Sequence, residues 1–187
     1  MSFEEILKTV YYLSDDSVAC LMGEMERVSY LKKECVLREG QWDDFVYFVE
    51  SGSVRRYVLR GEKNVILSFV FEGDMAVAVP GFSGRTVSKC IVETLEDSIL
   101  LRISRERLEG LFRKSLELAN WGRCLVERHL LEHELYFMDY FWTDKGTQYR
   151  NLIKEYPQLL QRVSLKELAS YLDVTPQSLS RIRAERK

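Results

Sequence analysis

VSLKELASYLDVTPQSLSRIR, residues 163–183, encodes two short helices joined by a tight turn. Ser164 stands where an N-cap is needed, and Glu167, three residues on, completes a capping box. Val163 and Leu168 bracket that cap as a hydrophobic staple. The second helix repeats the device, with Thr175 as cap, Pro176 at the first helical position and a Val174–Leu179 staple. Leu165, Leu168, Ala169 and Leu172 fall on one apolar stripe, which Leu179 and Ile182 continue from the second helix. Asp173 occupies the turn, where left-handed backbone is tolerated. The outward face then presents Gln177, Ser178, Arg181 and Arg183, hydrogen-bonding and cationic groups on a helix of a size that enters the major groove. An ordinary helical hairpin with a solvated polar face would carry the caps alone. The joint fit of cap, small residue, turn and core favours a DNA-binding helix-turn-helix. The candidate DNA contacts are Ser164, Lys166, Thr175, Gln177, Ser178, Ser180, Arg181 and Arg183.

Charge is distributed accordingly. Residues 145–187 hold nine Lys or Arg against four acids, a balance of +5, so the rest of this −2 chain carries −7. A basic end on an acidic body suits contact with phosphates. The 187 residues, 46% of them hydrophobic, can bury one sizeable core. No apolar run is long enough to span a membrane, and no signal peptide opens the chain, so a cytoplasmic protein is expected. Cys20, Cys35, Cys90 and Cys124 are scattered without a CxxC pair, which predicts buried free thiols and no metal or other cofactor.

Upstream, residues 14–26 read as an amphipathic helix capped by Ser14. Between 30 and 103 the period becomes that of strands, at 45–49, 53–59, 65–71, 88–92 and 99–103. Gly40, Ser51–Gly52, Gly61, Gly73–Asp74 and the 80–84 stretch separate them. Strands this short and regular predict a small barrel or sandwich. Ser104 caps a helix reaching about residue 114. A Pro-free segment, 115–142, follows with a heptad-like seam through Leu116, Ala119, Arg123, Val126, Leu130, His133, Phe137 and Tyr140. A second line, Leu118, Trp121, Leu125 and Tyr136, gives the helix two apolar sides and so two partners. The second partner is expected to be its own copy, through Val126, Leu130, His133, Phe137 and Tyr140. A further helix is predicted at 148–155, ended by Pro157.

The order of these parts resembles the CRP/FNR transcription regulators. The matching residues are Leu37-Arg38-Glu39-Gly40, then Tyr47-Phe48-Val49-Glu50-Ser51-Gly52-Ser53-Val54-Arg55, then Gly73-Asp74. The resemblance implies an α+β chain: a cyclic-nucleotide-binding-like antiparallel β-roll of the jelly-roll type over 1–114, a dimerisation helix over 115–142, and a helix-turn-helix domain over 143–187. It implies a homodimeric bacterial regulator at a near-palindromic operator on double-stranded DNA, with a small-molecule effector and contact with RNA polymerase within its reach. Two departures matter. Arg85-Thr86 is similar to the family's phosphate-holding pair, but residues 75–84 (MAVAVPGFSG) contain no carboxylate for the ribose, so the usual cyclic AMP binding is not expected. Pro176 and Gln177 stand where many members carry Arg and Glu, and the wing strands are missing, so the operator cannot be borrowed.

His129-Leu130-Leu131-Glu132-His133 also matches the inverted zinc-peptidase pattern, with two imidazoles on one helical face and Glu132 as base. These are the only two histidines, and the segment fits the heptad. Catalysis and metal binding are therefore not predicted, and a zinc hydrolase stays a remote alternative. The nearer alternative is a ligand-sensing β-roll protein whose helix-turn-helix contacts protein.

Overall fold

The computed structural model describes residues 2–61, 63–76 and 87–185. Arg85, Thr86 and the 80–84 turn lie outside the described residues. Two helices open the chain. The first, α1 (Phe3–Val10), carries a Ser2/Glu5 capping box that the sequence reading passed over. The second, α2 (Asp15–Gly23), is capped by Ser14. It stops short of residue 26 because Glu26–Tyr30 is already strand β1.

Among the described residues six further strands follow: β2 (Cys35–Leu37), β3 (Phe45–Ser51), β4 (Val54–Arg60), β5 (Lys63–Val70), β6 (Ile91–Thr94) and β7 (Ser98–Ser104). All pairings are antiparallel, in a three-stranded sheet β1-β7-β3 and a four-stranded sheet β2-β6-β4-β5. The strand expected at 88–92 begins later, because the Ser88 hydroxyl donates to Cys90 O (2.7 Å) and accepts from Cys90 N, closing a turn there. The β3–β4 turn needs glycine at residue 52: its φ is +90°, and a Cβ would lie 2.3 Å from Ser98 Oγ. Val36, Tyr47, Val49, Val54, Val92 and Leu100 fill the space between the sheets.

Helix α3 (Arg105–Lys114) leads into the long helix α4 (Leu116–Trp142), both as expected. Leu118, Trp121 and Leu125 of α4 join Phe3, Leu7, Phe48 and Leu101 in a second core, where Trp121 Nε1 donates to Leu7 O at 3.0 Å. Helix α5 (Lys145–Glu155) starts before residue 148 because Asp144 caps it, accepting from Thr147 N at 3.0 Å. A short helical turn, α6 (Leu159–Arg162), precedes α7 (Leu165–Tyr171) and α8 (Pro176–Ala184). Among the described residues no helix is long and apolar enough to cross a membrane. The cysteines are free, but only Cys90 is buried; Cys20 is exposed on the outer side of α2, contrary to expectation.

Candidate functional site

The two C-terminal helices are built as their caps require. Glu167 N donates to Ser164 Oγ (3.2 Å) while Ser164 N donates to Glu167 Oε2 (3.1 Å), so two otherwise unpaired helix-start donors are satisfied reciprocally. Ser178 N donates to Thr175 Oγ1 at 3.1 Å, with Pro176 at the first helical position. Asp173 adopts φ +54° in the turn between them. Leu168, Ala169, Leu172 and Leu179 are buried together, but Leu165, expected on the same stripe, is 41% exposed. It is the first residue of a short helix, where the stripe has already turned toward solvent.

The candidate contact residues divide in two. The hydroxyls of Ser164 and Thr175 are engaged in capping, that of Ser178 bonds the Thr175 hydroxyl, and that of Ser180 donates back to Pro176 O. Lys166, Gln177, Arg181 and Arg183 are exposed, and none of the four makes an ion pair with a described residue. Elsewhere arginines are neutralised: Arg102 pairs with Glu26, Arg123 with Glu127 and Arg162 with Glu72.

The C-terminal helix pair also rests on the β-roll, which the sequence did not reveal. On the outer face of β4, Arg55 joins Glu93 (2.7 Å) to Glu167 (2.8 Å), the acid that also caps α7. Ser170 Oγ donates to Asn64 O (2.7 Å) and accepts from Ile66 N, and the Tyr171 ring packs on Phe69. Arg162 bonds Glu72 through both terminal nitrogens and Glu96 through Nε, and lies over the Phe71 ring. Burial would raise the Glu72 carboxyl, but the bonds from Arg162 and from the Gly52 N–H outweigh it and hold it below the usual range. Such partners are distant in sequence, so periodicity carries no trace of them.

The long helix has a covered and an open side. Of the proposed seam, Val126, Leu130 and Phe137 are more than half exposed. Leu131, Leu135, Met138, Phe141 and Trp142 widen that apolar surface beyond the seam read from the heptad. His133 and Tyr140 sit at its border, half-buried. Tyr140 reaches Asp173 (3.3 Å), and His133 Nε2 lies 3.2 Å from His129 Nε2. Burial, then His133, Arg56 and Arg128, push the His129 imidazole down to about 4; burial and Arg56 lower His133. Both rings are therefore neutral at pH 7. Among the described residues no three His, Cys, Asp or Glu side chains converge as metal ligands.

Comparison with known proteins agrees with this architecture. Residues 27–115 match the cyclic nucleotide-binding domain family. Among solved structures, FixK2 from Bradyrhizobium japonicum superposes with a TM-score of 0.73 at 19% identity, over 86% of this chain and 83% of that one. The c-di-GMP-responsive global regulator CLP from Xanthomonas campestris gives 0.70 at 19%, over 92% and 91%. A CooA mutant from Carboxydothermus hydrogenoformans gives 0.72 at 16%, over 99% and 84%. No curated protein matches the sequence. The chain thus has the fold of the CRP/FNR family regulators, with residues 27–115 similar to the cyclic nucleotide-binding domain family.

Proposed function

We propose that this protein is a homodimeric transcription regulator that reads near-palindromic DNA with helix α8 and carries an effector-sensing β-roll. The observation that carries the reading is the pair Arg181 and Arg183. They are exposed on a capped helix with no carboxylate partner among the described residues, most of whose other arginines are neutralised. An open guanidinium fork on a helix of this size fits the two acceptors of guanine in the major groove. Lys166 and the cationic end of α8 serve the backbone phosphates. The open face of α4 supports the dimer: a contiguous apolar surface of this extent on a helix marks an interface, and a two-fold copy meets it with the same residues. Such a dimer presents two recognition helices to two half-sites.

Selection from random DNA, followed by affinity measurement on the selected site, tests this directly. Arg181→Ala should cost about 1–3 kcal/mol and relax the preference at one position in each half-site. Unchanged affinity together with an unchanged preferred sequence would refute the docking.

A further inference from the structure

The long helix α4 ends at Trp142, and Thr143 after it is extended (φ −118°, ψ 154°). Only Thr143 and Asp144 separate it from α5. The last carbonyls of a helix have no partner within it, and here a side chain of the next helix takes them up. Gln148 is 5% exposed, and its amide nitrogen donates to Asp139 O (3.1 Å), Tyr140 O (3.0 Å) and Thr143 O (3.0 Å). Its two N–H bonds are shared among these three acceptors. The amide oxygen accepts from Lys145 Nζ (3.1 Å), and that ammonium lies 4.1 Å from the centre of the Tyr140 ring. Asn151, one turn further along α5, donates to the Asp139 carboxylate at 3.0 Å. An apolar side chain at residue 148 would fill the same space but leave those carbonyls without their donor.

This joint holds α5 at one angle to α4. Helix α5 in turn shares a core with α7 and α8 through Tyr149, Ile153, Leu168 and Leu179. The Tyr140 hydroxyl, on α4, also donates to the Asp173 carboxylate in the turn between α7 and α8 (3.3 Å). Helix α8 is thus tied to α4 both through the elbow at Gln148 and through its own turn.

We propose that Gln148 is a positioning residue that sets the spacing between the two DNA half-sites this protein accepts. The inference rests on the function proposed above: in a dimer joined through α4, the angle at which α5 leaves α4 decides where each α8 stands relative to its two-fold mate. Half-sites lie about one helical turn apart, and one added base pair moves the second along by about 3.4 Å and around by about a tenth of a turn. Two copies of α8 held by tied elbows cannot follow that shift.

The test uses the half-site selected by the wild type, placed in inverted pairs at the selected spacing and at one base pair more or fewer. The wild type should bind the altered spacings roughly tenfold more weakly or worse. Gln148→Met removes the donor, and Gln148→Glu sets a carboxylate against three carbonyls. Both should bind the three spacings within about threefold of one another, while preferring the same bases within each half-site. Urea unfolding and light scattering check that each variant is a folded dimer. A wild type that selects paired half-sites but tolerates the altered spacings overturns the proposal alone, without recourse to a variant. A folded variant that keeps the wild-type spacing dependence overturns it too, as does one that loses affinity equally at all three spacings, which would make Gln148 a purely structural residue. A wild type that selects no paired half-sites refutes the DNA-binding dimer and this proposal with it.

Discussion

Replacing Arg162 by methionine should loosen the helical domain from the β-roll by a predictable amount. The side chain forks between Glu72 (2.7 and 2.8 Å) and Glu96 (2.9 Å) and covers Phe71. Hydrogen bonds to charged partners reach about 1.5–3 kcal/mol each when shielded. Here the two carboxylates keep 38% and 39% of their side-chain surface in water, so screening reduces the set to about 1–2 kcal/mol. Loss of the contact over Phe71 adds about 0.5–1 kcal/mol, while methionine retains the aliphatic packing. Urea unfolding at about pH 7 should thus show Arg162→Met less stable by about 2 kcal/mol. The pH dependence has a definite sign. The folded-state pKa of Glu72 is lowered, so its contribution is complete above the unfolded carboxylate value and is lost as pH falls through the folded one. The gap between wild type and variant should therefore shrink once pH falls below the ordinary carboxylate range. An equal gap at both pH values, or none at neutral pH, would refute the assignment of this contact to charge.

Three other outcomes are expected. Leu130→Glu should convert a dimer seen by light scattering into monomer, since it sets like charges on the open face of α4 against each other; a wild-type monomer at micromolar concentration that still bound DNA tightly would sink the dimer. The imidazole resonances of His129 should titrate near pH 4 rather than near the ordinary 6.5, and because the unfolded chain binds that proton more readily, stability should decline as pH falls across that interval; a midpoint at the ordinary value would contradict the packing. Calorimetric titration with cyclic AMP should show a site roughly tenfold to hundredfold weaker than a ribose-bonded one, the effect of one missing charge-assisted bond of about 1.5–3 kcal/mol; micromolar binding would show that another group replaces the carboxylate.

Local signals were legible and distant ones were not. The caps at Ser104, Ser164 and Thr175, the left-handed Asp173 and the whole extent of α4 follow from neighbours within a few residues, and all stand as read. Strand β1 escaped because it is short and largely solvated, and β2 because three residues are too few to show alternation. Helix α1 escaped although its Ser2/Glu5 box is of the same kind as that of α7. At the site, exposure of Arg181 and Arg183 agreed with the pattern, whereas the roles of Arg55 and Arg162 depend on glutamates far away in sequence. Arg56 left one usable trace: two consecutive arginines in a strand must face opposite ways, so one of them turns inward.

The core of the helical domain is not wholly its own. Phe71 and Leu95 from the roll pack among Tyr149, Ile153, Leu159, Val163 and Leu168. The sequence divides neatly at residue 143, but the packing does not. A C-terminal piece of about 45 residues excised there would be small enough for every buried side chain to matter. It would keep each of its caps and both helices' intrinsic preferences, yet uncover the apolar surface that Phe71, Leu95 and the partly buried Phe69 now close. Recombining this helical domain with a different β-roll would therefore require carrying those three residues, and the carboxylates facing Arg162, along with it.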